Sequence, residues 1–177
     1  MNLIPLLTAL GALGLTSAQA SLFSFYAINL NGGQEVPPNG SPGWGSATGL
    51  YDTETREFSL GGFVGGLSSG ITAANIHLGV PGVAGPAVIP LEAVTGLNGG
   101  PINSPFVLLT PAEEADLFFG RWYVNIQTAE FPEGEIRGQI QLGAAVVPEP
   151  EEYAAIACLG LAGFGYWRVR VRAGRLG

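Results

Sequence analysis

Hydrophobic and polar residues alternate in short runs through the middle of the chain, and glycine- or proline-rich segments separate the runs. The runs are rich in β-branched and aromatic residues, which favours strands over helices. The predicted strands have the sequences LFSFYAINL, SATGLYD, REFSLGGFV, ITAANIHL, PAVIPL, FVLL, RWYVNIQTA and GEIRGQIQL. About eight short strands separated by turns predict an all-β fold, either an antiparallel sandwich or a Greek-key barrel.

One short helix is predicted within TPAEEADLFFG. Thr110 would be its N-cap and Pro111 its first helical residue, because threonine accepts a backbone hydrogen bond there and proline fits the first turn. Glu113 would complete a capping box with Thr110, and Gly120 would end the helix.

Polar side chains share one face in two of the predicted strands. In AANIHL, Asn75 and His77 are two residues apart, so they point to one face and Ile76 points to the other. In RWYVNIQTA, Asn125 and Gln127 share a face with a tyrosine, and the intervening valine and isoleucine are expected to face the core. We therefore expect a polar cluster around the chain's only histidine, made of Asn75, His77, Asn125 and Gln127.

The strand GEIRGQIQL alternates in the same way. Its polar face carries Glu135 and Arg137, which we expect to pair with neighbours across the ladder. Such pairs contribute only a fraction of a kcal/mol when they are exposed. The opposite, apolar face carries Ile136, Ile140 and Leu142.

The start of the chain differs from the middle. Residues 1–20 form an apolar run that is rich in small side chains and ends in Ala18-Gln19-Ala20. Signal peptidases cleave after such a pattern, so residues 1–20 predict a secretory signal peptide. The mature domain would then span residues 21–147 and begin at Ser21.

The chain ends in a tail, residues 148–177, that is first acidic, then apolar and finally basic. No residue from Tyr153 to Trp167 is charged, which predicts a transmembrane helix. Such a helix covers about 22 Å, and snorkelling arginines would extend it toward the roughly 30 Å hydrocarbon core. The basic cluster that follows the helix consists of Arg168, Arg170, Arg172 and Arg175.

Composition restricts the partners of the mature domain. The chain has 177 residues, enough for one domain, and a formal net charge of −7 without any lysine. An acidic domain with few arginines has no electrostatic footprint for nucleic acid, and anionic lipid or polysaccharide would repel it unless a divalent cation bridged them. The single cysteine, Cys158, lies in the tail, so the mature domain can form no disulfide.

The sequence does not indicate a catalytic arrangement. A Ser-His-Asp triad would have to use His77, and no G-x-S-x-G motif accompanies it. A carboxylate pair for glycoside hydrolysis would have to come from Glu130, Glu133 and Glu135, but acids in a turn such as AEFPEGE are ordinarily solvated. The glycine pairs lack the Lys-Ser/Thr partner of a phosphate-binding loop. We therefore expect neither enzymatic activity nor a cofactor.

Three segments of the predicted mature domain resemble the CHRD domain, which is named for chordin. They are LNGGQEVPP near its start, ITAANIHLGVPGVAGPAV in its middle and WYVNIQTAEFPEGEIRGQIQ at its end. The last segment is the most specific, and its G-E-I-R-G-Q motif contains Glu135 and Arg137. The resemblance implies a small β-sandwich or barrel, somewhat like the architecture of copper/zinc superoxide dismutase, without established enzymatic activity.

The chain departs from the pattern of that family at two positions. The family commonly has H-I-H where this chain has Asn75-Ile76-His77, and a further histidine where this chain has Gln127. Three histidines would make a transition-metal site, whereas amides are poor ligands for zinc or copper. We therefore expect no zinc or copper at His77, while carboxylates and loop carbonyls leave calcium open.

The tail resembles the PEP-CTERM sorting signal. Its matching features are Pro148-Glu149-Pro150, the apolar helix at 153–167 and the arginine cluster at 168–175. The resemblance implies a Gram-negative bacterium in which an exosortase recognises Pro148-Glu149-Pro150 and removes the tail. It also implies delivery to the cell surface or to an exopolysaccharide matrix.

Together these features predict an exported, surface- or matrix-sorted β domain that acts in binding or envelope structure. Its expected partners are signal peptidase and exosortase during processing, the membrane through the tail before cleavage, and an exopolysaccharide or surface-protein ligand. Two alternatives stay open: a metal-dependent protein of the dismutase-like sandwich type, and an extracellular protein–protein interaction module.

Overall fold

The computed structural model describes residues 22–146 of the chain. The predicted signal peptide at 1–20 and the predicted sorting tail at 148–177, with its apolar helix at 153–167, therefore lie outside the described residues. Within 22–146, no helix combines the length and the hydropathy needed to span a membrane.

Residues 22–146 form eleven strands, one α-helix and one 3₁₀ helix. The α-helix, α1, spans Pro111–Phe118, and the 3₁₀ helix spans Gly32–Gln34. The strands are β1 (Leu22–Leu30), β2 (Trp44–Asp52), β3 (Glu57–Gly65), β4 (Ile71–Leu78), β5 (Ala87–Pro90), β6 (Glu92–Ala93), β7 (Gly100–Asn103), β8 (Val107–Leu108), β9 (Trp122–Thr128), β10 (Ile136–Gln139) and β11 (Gln141–Val146).

The strands form two sheets. The first sheet has seven strands in the order β11-β1-β2-β3-β7-β6, with β8 also paired to β3. The second has four strands in the order β10-β9-β4-β5. All strand pairs within 22–146 are antiparallel, so the prediction of an all-β antiparallel fold with one short helix is confirmed for this part of the chain.

Alternating burial along β2 shows which face of the first sheet points inward. Gly49 and Tyr51 are buried, whereas Trp44 and Leu50 are exposed. A Cβ at Gly49 would come within 3.0 Å of Phe58 Cε2, so the glycine leaves room for the phenyl ring of the neighbouring strand. The inward face of β2 therefore accepts large aromatic neighbours, while its outward face stays open to solvent.

The hydrophobic core lies between the two sheets. The second sheet contributes the side chains of Ile76, Val124 and Ile126, which are fully buried. The expectation that Val124 and Ile126 face the core is thus confirmed. The first sheet contributes aliphatic side chains and aromatic rings, and two of these rings, Phe25 and Phe58, meet edge to face with centroids 6.4 Å apart. Such a pair adds about 0.5–1.5 kcal/mol to the gain from burial alone.

Helix α1 packs its last residue against aromatic rings of the first sheet. The ring of Phe118 meets Phe23, Phe25 and Tyr51 edge to face, with centroid distances of 5.0, 5.4 and 5.8 Å. This contact explains why a helix of only eight residues is stable, since short helices depend on tertiary packing rather than on propensity.

The predicted helix cap is confirmed. Thr110 Oγ1 accepts a hydrogen bond from Glu113 N at 3.3 Å, and Thr110 N donates to Glu113 Oε2 at 2.8 Å, which completes the capping box. Gly120 follows the helix with a φ of +64°, a conformation that glycine adopts without strain.

The structure corrects two parts of the strand prediction. The short strands β6 and β7 form in a segment without clear alternation, which adds two strands to the eight predicted ones; the division of GEIRGQIQL supplies the eleventh. In addition, GEIRGQIQL is not one strand, because β10 belongs to the second sheet and β11 to the first. Since the chain changes sheets at Ile140, the alternation of faces does not continue, and Leu142 is 43% exposed instead of sharing a buried face with Ile136.

Replacing Ile126 with alanine should lower the free energy of unfolding by about 2–5 kcal/mol, because the removed atoms leave a cavity in the core. Chemical denaturation followed by circular dichroism measures this change. Leu108→Ala is the matched control, since Leu108 is 69% exposed. The control should change stability by less than about 0.5 kcal/mol. A loss of stability in Ile126→Ala that is as small as the one in the control would mean that the faces of β9 are reversed.

Candidate binding site

The outward face of β9 is covered by three loops. The valine and isoleucine of this strand point into the core, so Tyr123, Asn125 and Gln127 point away from it. Tyr123 and Asn125 are nevertheless only 3% exposed, because the loops lie over them. We name these loops the three-loop cluster; they are residues 32–39, 79–85 and 130–134.

Strand β4 brings the remaining predicted polar residues to the same side of the sheet. Its register with β9 places Asn75 opposite Asn125 and His77 opposite Tyr123. Directly opposed residues of an antiparallel pair point to the same face. Asn75, His77 and Gln127 are half-buried there.

Two side chains stack against the ring of Tyr123. The guanidinium carbon of Arg137 lies 3.4 Å from the ring centroid, a close cation–π contact. The His77 ring is nearly parallel to it, with centroids 5.2 Å apart and planes inclined by 25°. The Tyr123 hydroxyl also accepts a hydrogen bond from Gly85 N at 3.0 Å. Tyr123 therefore connects β4, β10 and the second loop of the three-loop cluster.

His77 is oriented by a backbone carbonyl. Its Nδ1 lies 2.8 Å from Gly85 O, and because a carbonyl oxygen can only accept, Nδ1 carries the proton in this contact. In the neutral ring Nε2 is then an acceptor. This atom is buried and has no hydrogen-bond partner within residues 22–146. His77 is thus held in place by one nitrogen while the other can accept a hydrogen bond from a bound molecule.

A buried carboxylate, that of Glu35, comes from the first loop. Glu35 is 7% exposed, and both of its oxygens accept from Asn125 Nδ2, at 3.1 and 3.2 Å. Burial raises the pKa of Glu35 to about 7, although the charge of Arg137 and hydrogen bonds from Val36 N and Asn125 act to lower it. Gly134 makes room for this contact, because a Cβ there would lie 2.7 Å from Glu35 Oε1.

Arg137 fastens the second loop to the sheet. It is 2% exposed and donates from Nη1 to Val83 O and from Nη2 to Val80 O, both at 3.0 Å. Nη2 also donates to Gln139 Oε1 at 3.2 Å, and Gln139 Nε2 donates in turn to Gly79 O at 2.9 Å. The prediction that Arg137 forms a weak ion pair across the ladder is therefore wrong. Loop carbonyls accept the hydrogen bonds of its guanidinium instead.

Glu135, the other charged residue of the motif, is fully buried and also lacks the expected cross-strand ion pair. Its carboxylate accepts from Ser41 Oγ, Ser68 N and Thr128 Oγ1, each at 2.6 Å. Burial acts to raise the pKa of Glu135, but these hydrogen bonds outweigh it and hold the pKa below its ordinary value. Glu135 thus joins three segments that are distant in sequence, and its role here is structural.

In the part of the chain that the structure describes, Glu35 lines three cavities. The smallest, of about 130 Å³, is also lined by His77, Asn125 and Gln127, whereas Asn75 does not line it. The other two, of about 300 and about 290 Å³, lie where the first loop meets the second and the third loop, respectively. Asn125 Oδ1 is buried without a hydrogen-bond partner in the described part of the chain. The small cavity is therefore bordered by side chains that carry unused acceptors.

Sequence reasoning did not single out Glu35 or Tyr123. Glu35 lies in a loop, LNGGQEVPP, and strand periodicity carries no information about which loop folds over which sheet. Its only local signal is an acid placed between a glycine pair and a proline pair, which is typical of a shaped turn. Tyr123 lies on the predicted polar face, and its alternation with buried residues is the signal that could have included it.

The donor atoms around the small cavity do not resemble a transition-metal site. Within residues 22–146, no group of three or more His, Cys, Asp or Glu residues is arranged to hold a metal ion. The small cavity is bordered by the imidazole of His77, by the carboxylates of Glu35 and Glu133 and by amides. These groups form hydrogen bonds readily, but only one of them is an imidazole or thiolate of the kind that zinc or copper favours. The arrangement suits a polar ligand that donates hydrogen bonds.

The fold and this site together define a two-sheet β domain whose polar face is covered by loops. The CHRD domain family matches residues 26–140, a range that contains every side chain of the site. The chain therefore belongs to the CHRD domain family, which is a non-catalytic family. No curated protein and no solved structure matches the chain.

Glu35 should make the protein less stable as the pH rises from about 4.5 to about 7. Its folded-state pKa is raised, so the folded protein holds a proton in this range that the unfolded chain has released. The stabilisation that the protonated Glu35 provides is complete below pH 4.5, and it is lost as the pH rises past about 7. Glu35→Gln should remove this part of the pH dependence, measured by denaturation at pH values on either side of the range. Glu133→Gln, at an exposed carboxylate, is the control, and an unchanged slope in Glu35→Gln would contradict the assignment.

The purified protein should contain no stoichiometric zinc or copper, because amides occupy the positions beside His77 that would need imidazole. Elemental analysis after refolding with and without zinc, copper and calcium tests this expectation. His77→Asn should leave the response of the melting temperature to chelator unchanged. One equivalent of zinc or copper that disappears in His77→Asn would support the metal-dependent alternative instead.

Proposed function

We propose that this protein is an exported, non-catalytic CHRD domain that acts by binding at the cell surface or in an exopolysaccharide matrix. The observation that carries the binding role is the three-loop cluster, where recesses of about 130, 290 and 300 Å³ meet at one buried carboxylate. Recessed sites with a few placed polar groups are the usual form of ligand sites.

The hydrogen bonds that hold the three-loop cluster support a preformed site. Arg137 and Gln139 fasten the second loop, and Asn39 Nδ2 donates to Gly134 O and Glu135 O at 3.2 and 3.1 Å, which joins the first loop to the third. A surface that is ordered before binding loses less entropy when a partner docks. This favours recognition of a ligand over a purely space-filling role.

The roles of the charged groups favour binding over catalysis. Glu135 and Arg137 are both committed to structural hydrogen bonds. Glu35 is paired with Asn125 and lies beside the half-buried His77 at the small cavity. A general acid or base has to exchange a proton with a reacting group, whereas Glu135 and Arg137 are occupied by loop and strand groups and both oxygens of Glu35 accept from Asn125.

Export and sorting rest on the two ends of the chain. Residues 1–20 have the pattern of a signal peptide, and Pro148-Glu149-Pro150 with the apolar segment and arginines resembles the PEP-CTERM signal. Signal peptidase and an exosortase would then process the protein in a Gram-negative bacterium. The membrane would hold it through residues 153–167 only before cleavage.

Processing in the native host tests this proposal. Intact-mass measurement should find a protein that begins at Ser21 and lacks the arginine cluster at 168–175. Glu149→Ala should leave the protein in the membrane fraction with its tail attached, because the exosortase would no longer recognise the motif. Glu151→Ala, one residue beyond the motif, is the matched control and should be processed normally. A wild-type protein that reaches the surface with its tail intact would show that the segment is a plain anchor.

A further inference from the structure

The outward face of the first sheet carries two exposed aromatic side chains next to each other. Trp44 on β2 is 55% exposed and Phe63 on β3 is 51% exposed. Their ring centroids are 6.2 Å apart and their planes are inclined by only 33°, so the two rings lie side by side rather than edge to face. We name this pair the aromatic platform.

Glycines beneath Trp44 let its indole lie against the backbone of the sheet. A Cβ at Gly65 would lie 3.1 Å from Trp44 Cζ2, and a Cβ at Gly66 would lie 3.2 Å from Trp44 Cδ1. Gly65 is the residue that β3 places directly opposite Trp44, and Gly66 has a φ of +66°, which glycine adopts without strain. The backbone beneath Trp44 therefore holds its indole against the sheet.

The surroundings of the platform are polar but uncharged. The outward positions of β2, β3 and β7 follow from the register, in which Phe63 lies between Ser46 and Pro101. One row further along, Thr48 and Asn103 flank Gly61. The acids at the outward positions lie at the borders of this area, at Asp52 on the far end of β2, at Glu57 on the far end of β3 and at Glu92 on β6.

The exposure of two neighbouring aromatic rings, Trp44 and Phe63, indicates an interaction surface. Single exposed apolar residues are ordinary, but adjacent large ones ordinarily mark an interaction site. Two exposed ring faces inclined by 33° to each other suit a thin partner that stacks on both rings. The absence of charge at these positions excludes a partner that is recognised mainly by ion pairing.

We propose that the aromatic platform binds an uncharged polysaccharide chain. The faces of pyranose rings present polarised C–H groups, which the negative faces of aromatic rings attract. Their hydroxyls project sideways and would meet the side chains of Ser46, Thr48 and Asn103. The spacing of the two rings is of the same order as that of neighbouring sugar units, so each ring can stack on one unit.

Charge favours a neutral polymer over an anionic one. The chain has a formal net charge of −7, and no basic residue stands at the outward positions of β2, β3 and β7. An anionic polysaccharide or nucleic acid would meet the acids at the borders of the platform without any compensating cation. A neutral chain has no such repulsion to overcome.

This inference rests on the proposed function in one respect: delivery to an exopolysaccharide matrix would bring the aromatic platform into contact with polysaccharide. The two surfaces are separate. The platform lies on the outward face of the first sheet, and the three-loop cluster covers the outward face of the second. Glu35→Gln should therefore leave polysaccharide binding unchanged, so that failure of one proposal can be told from failure of the other.

Affinity electrophoresis of the full chain in native gels tests the inference. The gels contain dextran, galactomannan or hydroxyethyl cellulose as neutral polymers, or alginate as the anionic one. At least one neutral polymer should retard the protein, and Trp44→Ala and Phe63→Ala should each weaken the interaction by about tenfold or more, as expected for an aromatic hot spot. Phe119→Ala is the matched control, since Phe119 is an aromatic residue that is 73% exposed elsewhere on the surface.

Circular dichroism of each variant establishes that the fold is kept, which is expected because both rings are half exposed. Retardation by alginate alone, by none of the neutral polymers, or to the same extent in wild type and Trp44→Ala would overturn the inference. Sedimentation is measured in parallel. A dimer that becomes a monomer in Trp44→Ala would assign the platform to a second copy of the chain and would also overturn it.

Discussion

The outer face of the second sheet is organised by the need to satisfy a buried guanidinium, that of Arg137. A buried charge costs several kcal/mol unless polar partners replace its water. Here two loop carbonyls, the amide of Gln139 and the ring of Tyr123 replace it. Because the carbonyls belong to the second loop, solvating the charge and positioning that loop are the same set of contacts. The cavities beside Glu35 follow from where that loop is held.

Glu135 is the negatively charged counterpart, because its buried carboxylate also needs polar partners in place of water. Two opposite charges at adjacent positions of one strand face would be expected to form surface ion pairs, yet each is buried and satisfied by neutral groups. Glu135 takes two hydroxyls and one backbone N–H, from Ser41, Thr128 and Ser68. Neutral partners fix position without requiring a second buried charge. The charged residues of the short motif G-E-I-R-G-Q therefore connect segments that are far apart in the sequence, and both are satisfied by structural hydrogen bonds.

Local chemistry made much of this fold predictable. Strand positions followed from period-two alternation, and the start of the helix followed from a capping box that involves Thr110 and Glu113 alone. Local chemistry did not predict the change of sheets at Ile140 or the position of the three-loop cluster over the polar face. Both depend on residues that are far apart in the sequence. Glu35 is separated from Asn125 by 90 positions, and no periodic pattern relates a loop to the strand that it will cover. The predicted cluster therefore contained His77 and Asn125 but lacked the carboxylate beside them.

The two outward faces of the sandwich differ in a way that bears on binding. On the second sheet, loops bury the aromatic ring of Tyr123 and its polar neighbours, which leaves recesses bordered by acceptors. On the first sheet, Trp44 and Phe63 are about half exposed within residues 22–146, and glycines lie directly against the indole of Trp44. An acidic protein gains little from electrostatic attraction to an anionic partner, so shape and stacking would have to supply the affinity for such a partner. Under the two proposals, the domain would bind one ligand in the recesses of the second sheet and another at the aromatic platform of the first. When one of two linked sites is occupied, the effective concentration of the partner at the other site rises.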